Sequence, residues 1–248
     1  MFKKTLLVGA VLAGLGMQSV QAAAIDLNSL TGGQAAFKAL SEDLTSALSY
    51  KAITPAEPLG ILGFDVGAEL TLTKPANDDK WASAIGESSV SMLPMPKLHA
   101  HLGLPFGIDV GAVYSNLSVA DISYFGGELR YSFVGGNTLL PAVSVRGTMT
   151  KMSGADHLDL DTKGLELSIS KGFLMITPYA GIGQVWATSK PGATFKALPA
   201  PATLSDVDVS QSKWFVGANI NMGLMNFAFE TDKTGDASSY SAKVGLRF

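Results

Sequence analysis

Ten stretches of this chain alternate apolar and polar residues with a period of two. Beyond its first twenty or so residues, no apolar run reaches the roughly 20 residues that a spanning helix needs. The clearest stretch is the last: Tyr240, Ala242, Val244, Leu246 and Phe248 share one face, and Ser241, Lys243, Gly245 and Arg247 share the other. A chain that alternates throughout has two ways to satisfy its sheet edges and its apolar faces. One is a soluble β-sandwich. The other is a closed barrel whose apolar side faces lipid and whose polar side faces a lumen.

The alternation starts at residue 63, where Phe64, Val66, Ala68, Leu70 and Leu72 oppose Asp65, Gly67, Glu69, Thr71 and Thr73. Later strands follow around Leu98, Ala100 and Leu102; Ile108, Val110, Ala112 and Tyr114; Phe125, Leu129, Tyr131 and Phe133; Val143, Val145 and Met149; and Leu165, Leu167 and Ile169. The seventh spans residues 176–187, where Gly181 and Gly183 blur the facing; the eighth is marked by Trp214, Val216, Ala218, Ile220 and Met222. A short ninth carries Phe227 and Phe229. Connections read as tight at residues 105–107, 135–137, 171–172 and 223–226, and as longer and polar at 74–94, 116–121, 151–157, 189–209 and 232–237. Short turns on one side and long loops on the other are what a bacterial membrane barrel shows, and a sandwich has no reason to sort its loops by parity. Tyr114, Tyr131, Phe133, Tyr179, Trp186, Trp214 and Tyr240 fall near strand ends, where an interfacial girdle is expected.

The front of the chain is different. Lys3 and Lys4 precede an apolar run from Leu6 to Met17 and then Ser19-Val20-Gln21-Ala22, the pattern of a cleavable secretory leader over residues 1–22. Ala36, Phe37, Leu40, Leu44, Ala47 and Leu48 then recur at helical spacing, with Ser29 or Thr31 as the cap, and Pro55 and Pro58 break the helix. The predicted organisation is a leader over 1–22, a helical segment and linker over 23–60, and a barrel over 61–248. The fold class is all-β: an antiparallel transmembrane β-barrel of ten strands behind a short amphipathic helix. Because residues 48–53 also read as strand, eight and twelve stay open. Three placements of the helix stay open too: in the lumen, against the barrel's end, or on the lipid surface.

Removing Lys3 and Lys4 with the leader takes the net charge from -3 to -5, which gives no case for nucleic acid. The chain has no cysteine, which excludes disulfides, thiolate metal ligands, a thiol nucleophile and an N-terminal lipid anchor. The facing predicts a lumen lined by Asp65, Glu69, Lys97, His99, His101, Asp109, Glu128, Arg130, Arg146, Glu166, Lys213, Lys243 and Arg247. Lone charges in a narrow barrel are costly, so these acids and bases are expected to pair across strands, either as a register-setting core or as the lining of a polar pore. His99 and His101 at i, i+2 share a face, but two ligands do not make a metal site and spacing names no third. His157, between Asp156 and Asp159, does not match an EF-hand loop. No metal or cofactor is expected. A barrel enzyme would need one of the three histidines beside Ser88, Ser89 or Ser153, and no motif singles these out.

Leader, alternation, sorted loops and the terminal aromatic residue together resemble the Gram-negative outer-membrane β-barrel superfamily over the whole of residues 23–248. In that resemblance Phe248 stands where the barrel-assembly machinery reads its signal. Residues 47–69 look like the opening of a proteobacterial barrel family with no assigned function. A helix before the first strand is also seen in the fatty-acid transporter family, where it plugs the lumen; those proteins are much longer, and no binding residue is carried over. The resemblance implies a monomer in the outer membrane, delivered by periplasmic chaperones and surrounded by lipid. The implied functions are a narrow channel, a small-solute transporter or a structural barrel. The alternatives are a lipid- or peptide-directed enzyme and an adhesin acting through loops 74–94 and 189–209.

Overall fold

A computed structural model describes residues 33–85, 91–117, 122–153, 158–192 and 204–248. The leader, Ser29, Thr31, Ser88, Ser89, His157 and the middles of both long loops lie outside the described residues.

Helix α1 (Gly33–Leu48) is followed by β1 (Phe64–Lys74), a short helix α2 (Asp78–Ile85), β2 (Leu93–Gly103) and β3 (Ile108–Leu117). Then come β4 (Ile122–Gly135), β5 (Ala142–Ser153), β6 (Leu158–Ser170), β7 (Ile176–Pro191), β8 (Val207–Met222), β9 (Met225–Thr234) and β10 (Ala237–Arg247). Each strand pairs antiparallel with its sequence neighbour, and β1 pairs with β10, so the sheet closes as a ten-stranded barrel. Closure leaves no sheet edge, which is the condition for placing strands in lipid. At the seam the backbones of Phe64 and Phe248 exchange two hydrogen bonds of 2.9 Å.

One end of the barrel carries the junction at residues 59–63, Phe248 and the turns at 104–107, 136–141, 171–175 and 223–224. The other carries the connections 75–92, 118–121, 154–157, 192–206 and 235–236. The parity is as predicted but the lengths are not. Only two loop-end connections are long, because β3, β5, β9 and β10 run on through residues expected to be loop. Residues 232–237 contain strand up to Thr234, a two-residue turn at Gly235, and strand again from Ala237. A second correction concerns Tyr179, which is 3% exposed and points into the lumen rather than joining the outer girdle. Its ring lies where a Cβ on Gly217 would sit, so that glycine is what admits it. Gly181 makes the same space for Phe215, which is why the facing of β7 is hard to read in sequence.

The barrel reverses its polarity along its axis. Towards the short-turn end, outward residues are apolar, such as Leu129, Leu167, Ile182 and Phe229, and inward residues are charged. This is the surface of a transmembrane barrel. Towards the loop end of β5 to β8, the outward residues are Lys151, Asp159, Asp161, Lys163, Lys190 and Asp208, and the inward ones are Met152, Leu158, Leu160, Ala187, Val207 and Val209. β7 and β8 have 16 residues each, against the roughly 9–11 that cross a bilayer, so this wall stands beyond the lipid and has the inside of a soluble protein.

Helix α1 occupies that apolar interior. Phe37, Leu40, Leu44 and Leu48 pack with Trp81, Met95, Tyr124, Leu158 and Leu160. The opposite face of the helix is also enclosed, and two of its hydroxyls are satisfied locally: Ser41 and Thr45 donate to the carbonyls four residues back, at 2.8 and 2.7 Å. Of the three placements open from sequence, the lumen is the one observed. Residues 49–53 are neither helix nor strand and pair with no strand, so they leave the count at ten.

Three tips at the short-turn end have unusual backbone. Leu62, Phe106 and Leu174 have φ of 63°, 65° and 54°. Bulky apolar residues are outliers there, at a cost of about 1–2 kcal/mol each. Replacing Leu40 by Ala is expected to destabilise the folded barrel by about 2–5 kcal/mol in detergent unfolding titrations, whereas the same change at outward Leu167 is expected to have a small effect in detergent.

Candidate functional site: the occupied lumen

At the level of the apolar band, cross-strand register places the charges. Glu69 lies opposite Lys97 on β2, Asp109 opposite Arg130 on β4, and Arg146 opposite Glu166 on β6. All the charged residues expected to line the lumen face inward; Arg247 alone is partly exposed, at the short-turn end. Asp65 accepts from Lys243 at 2.7 Å, His99 at 3.0 Å and Arg247 at 3.3 Å. Lys97 meets Glu69 at 2.5 Å, and Arg130 meets Asp109 at 2.8 Å. Glu166 joins Arg146 at 2.7 Å and Lys213 at 2.6 Å. Arg130 and Arg146 face each other in register, and each turns away to its own acid. The ring of Phe215 lies under both Arg146 and Lys213, at 5.6 and 5.5 Å.

Four participants escaped the sequence reading. Lys51 belongs to the segment before the barrel, and only its burial shows that it enters the lumen. Glu230 follows the last residue that marks the short ninth strand, and Asp232 falls in the expected loop 232–237; the inward alternation Asn226, Ala228, Glu230, Asp232, Thr234 is the available signal. Tyr50 reaches His101 with its hydroxyl at 3.2 Å from Nε2. With these included, the described charges at the level of the apolar band balance at seven acids and seven bases, Lys51 of the insert being one of the bases.

The lumen at this level is filled by residues 49–58. Non-helical backbone in a membrane barrel must find partners inside the protein, and here the wall supplies them. Thr150 donates to the Leu48 carbonyl at 3.0 Å and Lys213 to that of Tyr50 at 2.8 Å. Arg130 donates to the Thr54 hydroxyl at 2.6 Å and the Pro55 carbonyl at 2.5 Å, and Ser132 to the Ala56 carbonyl at 2.8 Å. Asp109 accepts from the Leu59 amide at 3.1 Å. Lys51 is fully buried against Asp232, with its Nζ 3.0 Å from Oδ2.

At the loop end Asp43, buried on α1, accepts from the amides of Ala76 and Asn77 at 2.8 and 3.0 Å and from the Trp81 indole at 3.0 Å. It fixes the connection carrying α2 against the helix. Ser41 meets Ser189 of β7 with 2.9 Å between hydroxyl oxygens.

His99 and His101 come together with their ring centres 5.3 Å apart, and Asp65 supplies the third group that spacing did not name. Asp65 and the Nε2 atoms of both histidines have other partners, while the buried Nδ1 atoms of His99 and His101 accept or donate no hydrogen bond. Asp65 already accepts from two cations and His99, and His101 lies between Tyr50 and Glu128, the latter at 3.5 Å. A divalent ion added to a charge-balanced, sealed lumen would be uncompensated. The arrangement is a hydrogen-bonded core rather than an open ligand set.

Removing one member of the plug-to-wall pair should be worse than removing both. Lys51→Met is expected to destabilise the barrel by about 3 kcal/mol by stranding Asp232. The double variant Lys51→Met, Asp232→Asn is expected to recover most of that loss in the same unfolding titration.

No protein-family model matches this chain, and no curated protein matches it in sequence. Solved structures similar to it include the β domain of the Bordetella autotransporter BrkA, at 9% identity over 75% of this chain and 100% of that one with a TM-score of 0.41. The N-terminal β-barrel domain of Pseudomonas aeruginosa OprF matches at 10% identity over 73% of this chain and 97% of that one, with a TM-score of 0.36. KdgM porin matches at 8% identity over 74% and 99%, with a TM-score of 0.37. What the chain has in common with them is the β-barrel; no residue's role carries over at that level.

Proposed function

We propose that this protein is an outer-membrane barrel whose polar lumen is a channel for small hydrophilic solutes, shut in its resting state by residues 33–58. In this reading the leader directs export, Phe248 serves the barrel-assembly machinery, the loop end faces outward, and the barrel works as a monomer without a cofactor.

One observation carries it. The lumen charges satisfy each other from wall to wall, and among the described residues a single ion pair, Lys51 with Asp232, joins plug to wall. Around residues 49–58 the other polar contacts are mostly wall donors on plug carbonyls and hydroxyls, which water replaces well. Losing the insert costs the wall a single counter-charge, because six bases stay with seven acids and the Asp232 carboxylate left behind can be solvated by entering water. A plug that supplied most of the wall's counter-charges could not leave so readily.

Magnitudes argue that the closed state dominates. Burial of Phe37, Leu40, Leu44 and Leu48 contributes on the order of 6–12 kcal/mol. Spontaneous opening is therefore rare, and conduction needs a trigger that competes for the helix or pulls on it. Catalysis fits less well, because His99 and His101 are sealed beneath the plug and committed to partners.

The test is conductance in planar bilayers. The intact protein is expected to stay near the lipid baseline, and a variant lacking residues 33–58 to conduct in steps whose ion selectivity changes with Arg146→Glu. The absence of native cysteine allows a second arm, in which Ser41→Cys with Ser189→Cys locks α1 to β7. That protein should remain silent under applied voltage until reduced. If the plug-deleted barrel keeps its heat-modifiable mobility but conducts no more than lipid, the channel is refuted and a structural barrel remains.

A further inference from the structure

We propose that the short-turn end of the barrel is an apolar crown that seats in the headgroup–acyl boundary of the adjoining lipid leaflet, so that the barrel's turns are membrane contacts rather than water-facing hairpins. This rests on the reading that the barrel spans a membrane.

Turns at this end of a barrel would ordinarily stand in water and carry polar residues. Here the junction and every turn present a large apolar side chain. Leu62 is 76% exposed, Phe106 90%, Leu139 87% and Leu174 fully so, with Leu224 and Phe248 beside them. Lys171 is the only charged side chain in these turns. Three of the tips, Leu62, Phe106 and Leu174, hold the left-handed backbone that glycine or asparagine adopts with less strain. An exposed apolar residue in a strained position gains nothing in water. In lipid it gains its burial.

The polar groups behave as lipid contact demands. Phe173 and Ile176 exchange backbone hydrogen bonds of 2.7 and 2.9 Å. The amides of Leu139 and Leu140 both donate to the Asn137 side chain at 2.8 Å. Lys171 does not turn its ammonium to bulk solvent: it donates to the carbonyls of Asn137, Thr138 and Leu140 at 2.8, 2.7 and 3.3 Å.

Dimensions point the same way. On β8 the outward apolar residues run from Trp214 to Met222. Eight steps of about 3.3 Å at a tilt near 40° give a band of about 20 Å, short of the roughly 25 Å such barrels present. The crown adds the missing depth. Its distribution selects lipid over a protein partner, because the tips ring the whole circumference, as an isotropic medium requires, while a partner would mark one side. At the loop end the exposed positions among the described residues include Lys190, Asp208 and Asp236.

The cysteine-free chain makes the test direct. Single variants Phe106→Cys and Leu174→Cys carry a nitroxide in barrels folded into phosphatidylcholine vesicles, with Leu167→Cys as the mid-band reference and Asp208→Cys as the water reference. Collision with oxygen and with a water-soluble nickel chelate reports depth. Labels at 106 and 174 are expected to follow Leu167, with nickel collision several-fold below that at Asp208. If they follow Asp208 while Leu167 stays in lipid, the crown stands in water and the proposal is overturned, with the membrane barrel intact. If Leu167 itself meets nickel freely, the spanning reading falls as well. A second arm uses Leu174→Asn, which relieves the backbone and removes the apolar contact. It should lower the yield folded into vesicles several-fold without lowering stability in detergent; an unchanged vesicle yield would overturn the proposal.

Discussion

The charged lumen is the constraint from which the rest of the structure follows. At the level of the apolar band, each inward ionisable group is shut off from water, and an unpaired charge there is far more costly than an imperfect register. The sheet therefore has one alignment in which Glu69 meets Lys97, Asp109 meets Arg130 and Arg146 meets Glu166. A slip of one residue would turn every charge outward into lipid. The same interior leaves no room for backbone that cannot find partners, which is why residues 49–58 run where wall donors can reach their carbonyls.

The reversal of polarity along the axis gives the plug its two halves. In the part of the wall beyond the lipid, the outside is wet and the interior apolar, so an amphipathic helix is the natural filler. In the spanning part the outside is apolar and the interior charged, so an extended chain with free carbonyls fits better than an apolar helix. The switch from helix to extended chain at Leu48 coincides with the switch in the wall. It is reinforced by Ile53, whose φ of 47° bends the chain, and by Pro55 and Pro58, which prevent the helix from continuing.

Much of this was legible in the sequence, because a period of two survives wherever one face meets lipid. Strand existence and the inward charges followed from that alternation. The errors arise where the lipid stops. Beyond the band the outward face becomes polar, so the end of β5 looks like a loop, and β9 reads short because Asp232, Lys233 and Thr234 resemble a polar connection. Tyr179 was misplaced because its inward pocket is made by Gly217 on the next strand, information that is not local to either segment. The helix was readable from Phe37, Leu40 and Leu44. Its position inside the barrel was not, since the same pattern suits a lipid surface or a lumen. Lys51 carried no signal at all, because one lysine in a linker is ordinary until its partner on β9 is known.

The tether constrains how the plug can move. Residues 59–63 are fixed at the short-turn end: the Leu62 amide donates to Gly103, the Gly103 amide returns to Gly63, and a Cβ on Gly103 would collide with the Gly60 carbonyl. Helix α1 lies at the opposite end, so the extended segment spans the lumen between them. Withdrawal towards the short turns would drag Phe37, Leu40 and Leu44 past the charged belt, losing their burial before any is regained. Withdrawal towards the loops first breaks the Asp43 contacts with the connection carrying α2, and leaves the extended segment in the belt until the helix is free. In an opening of the kind proposed, the two halves would part in sequence, helix before extended segment. The Lys51–Asp232 pair would be the last charge contact to part, and its strength would set how far a displaced helix opens the lumen beneath it.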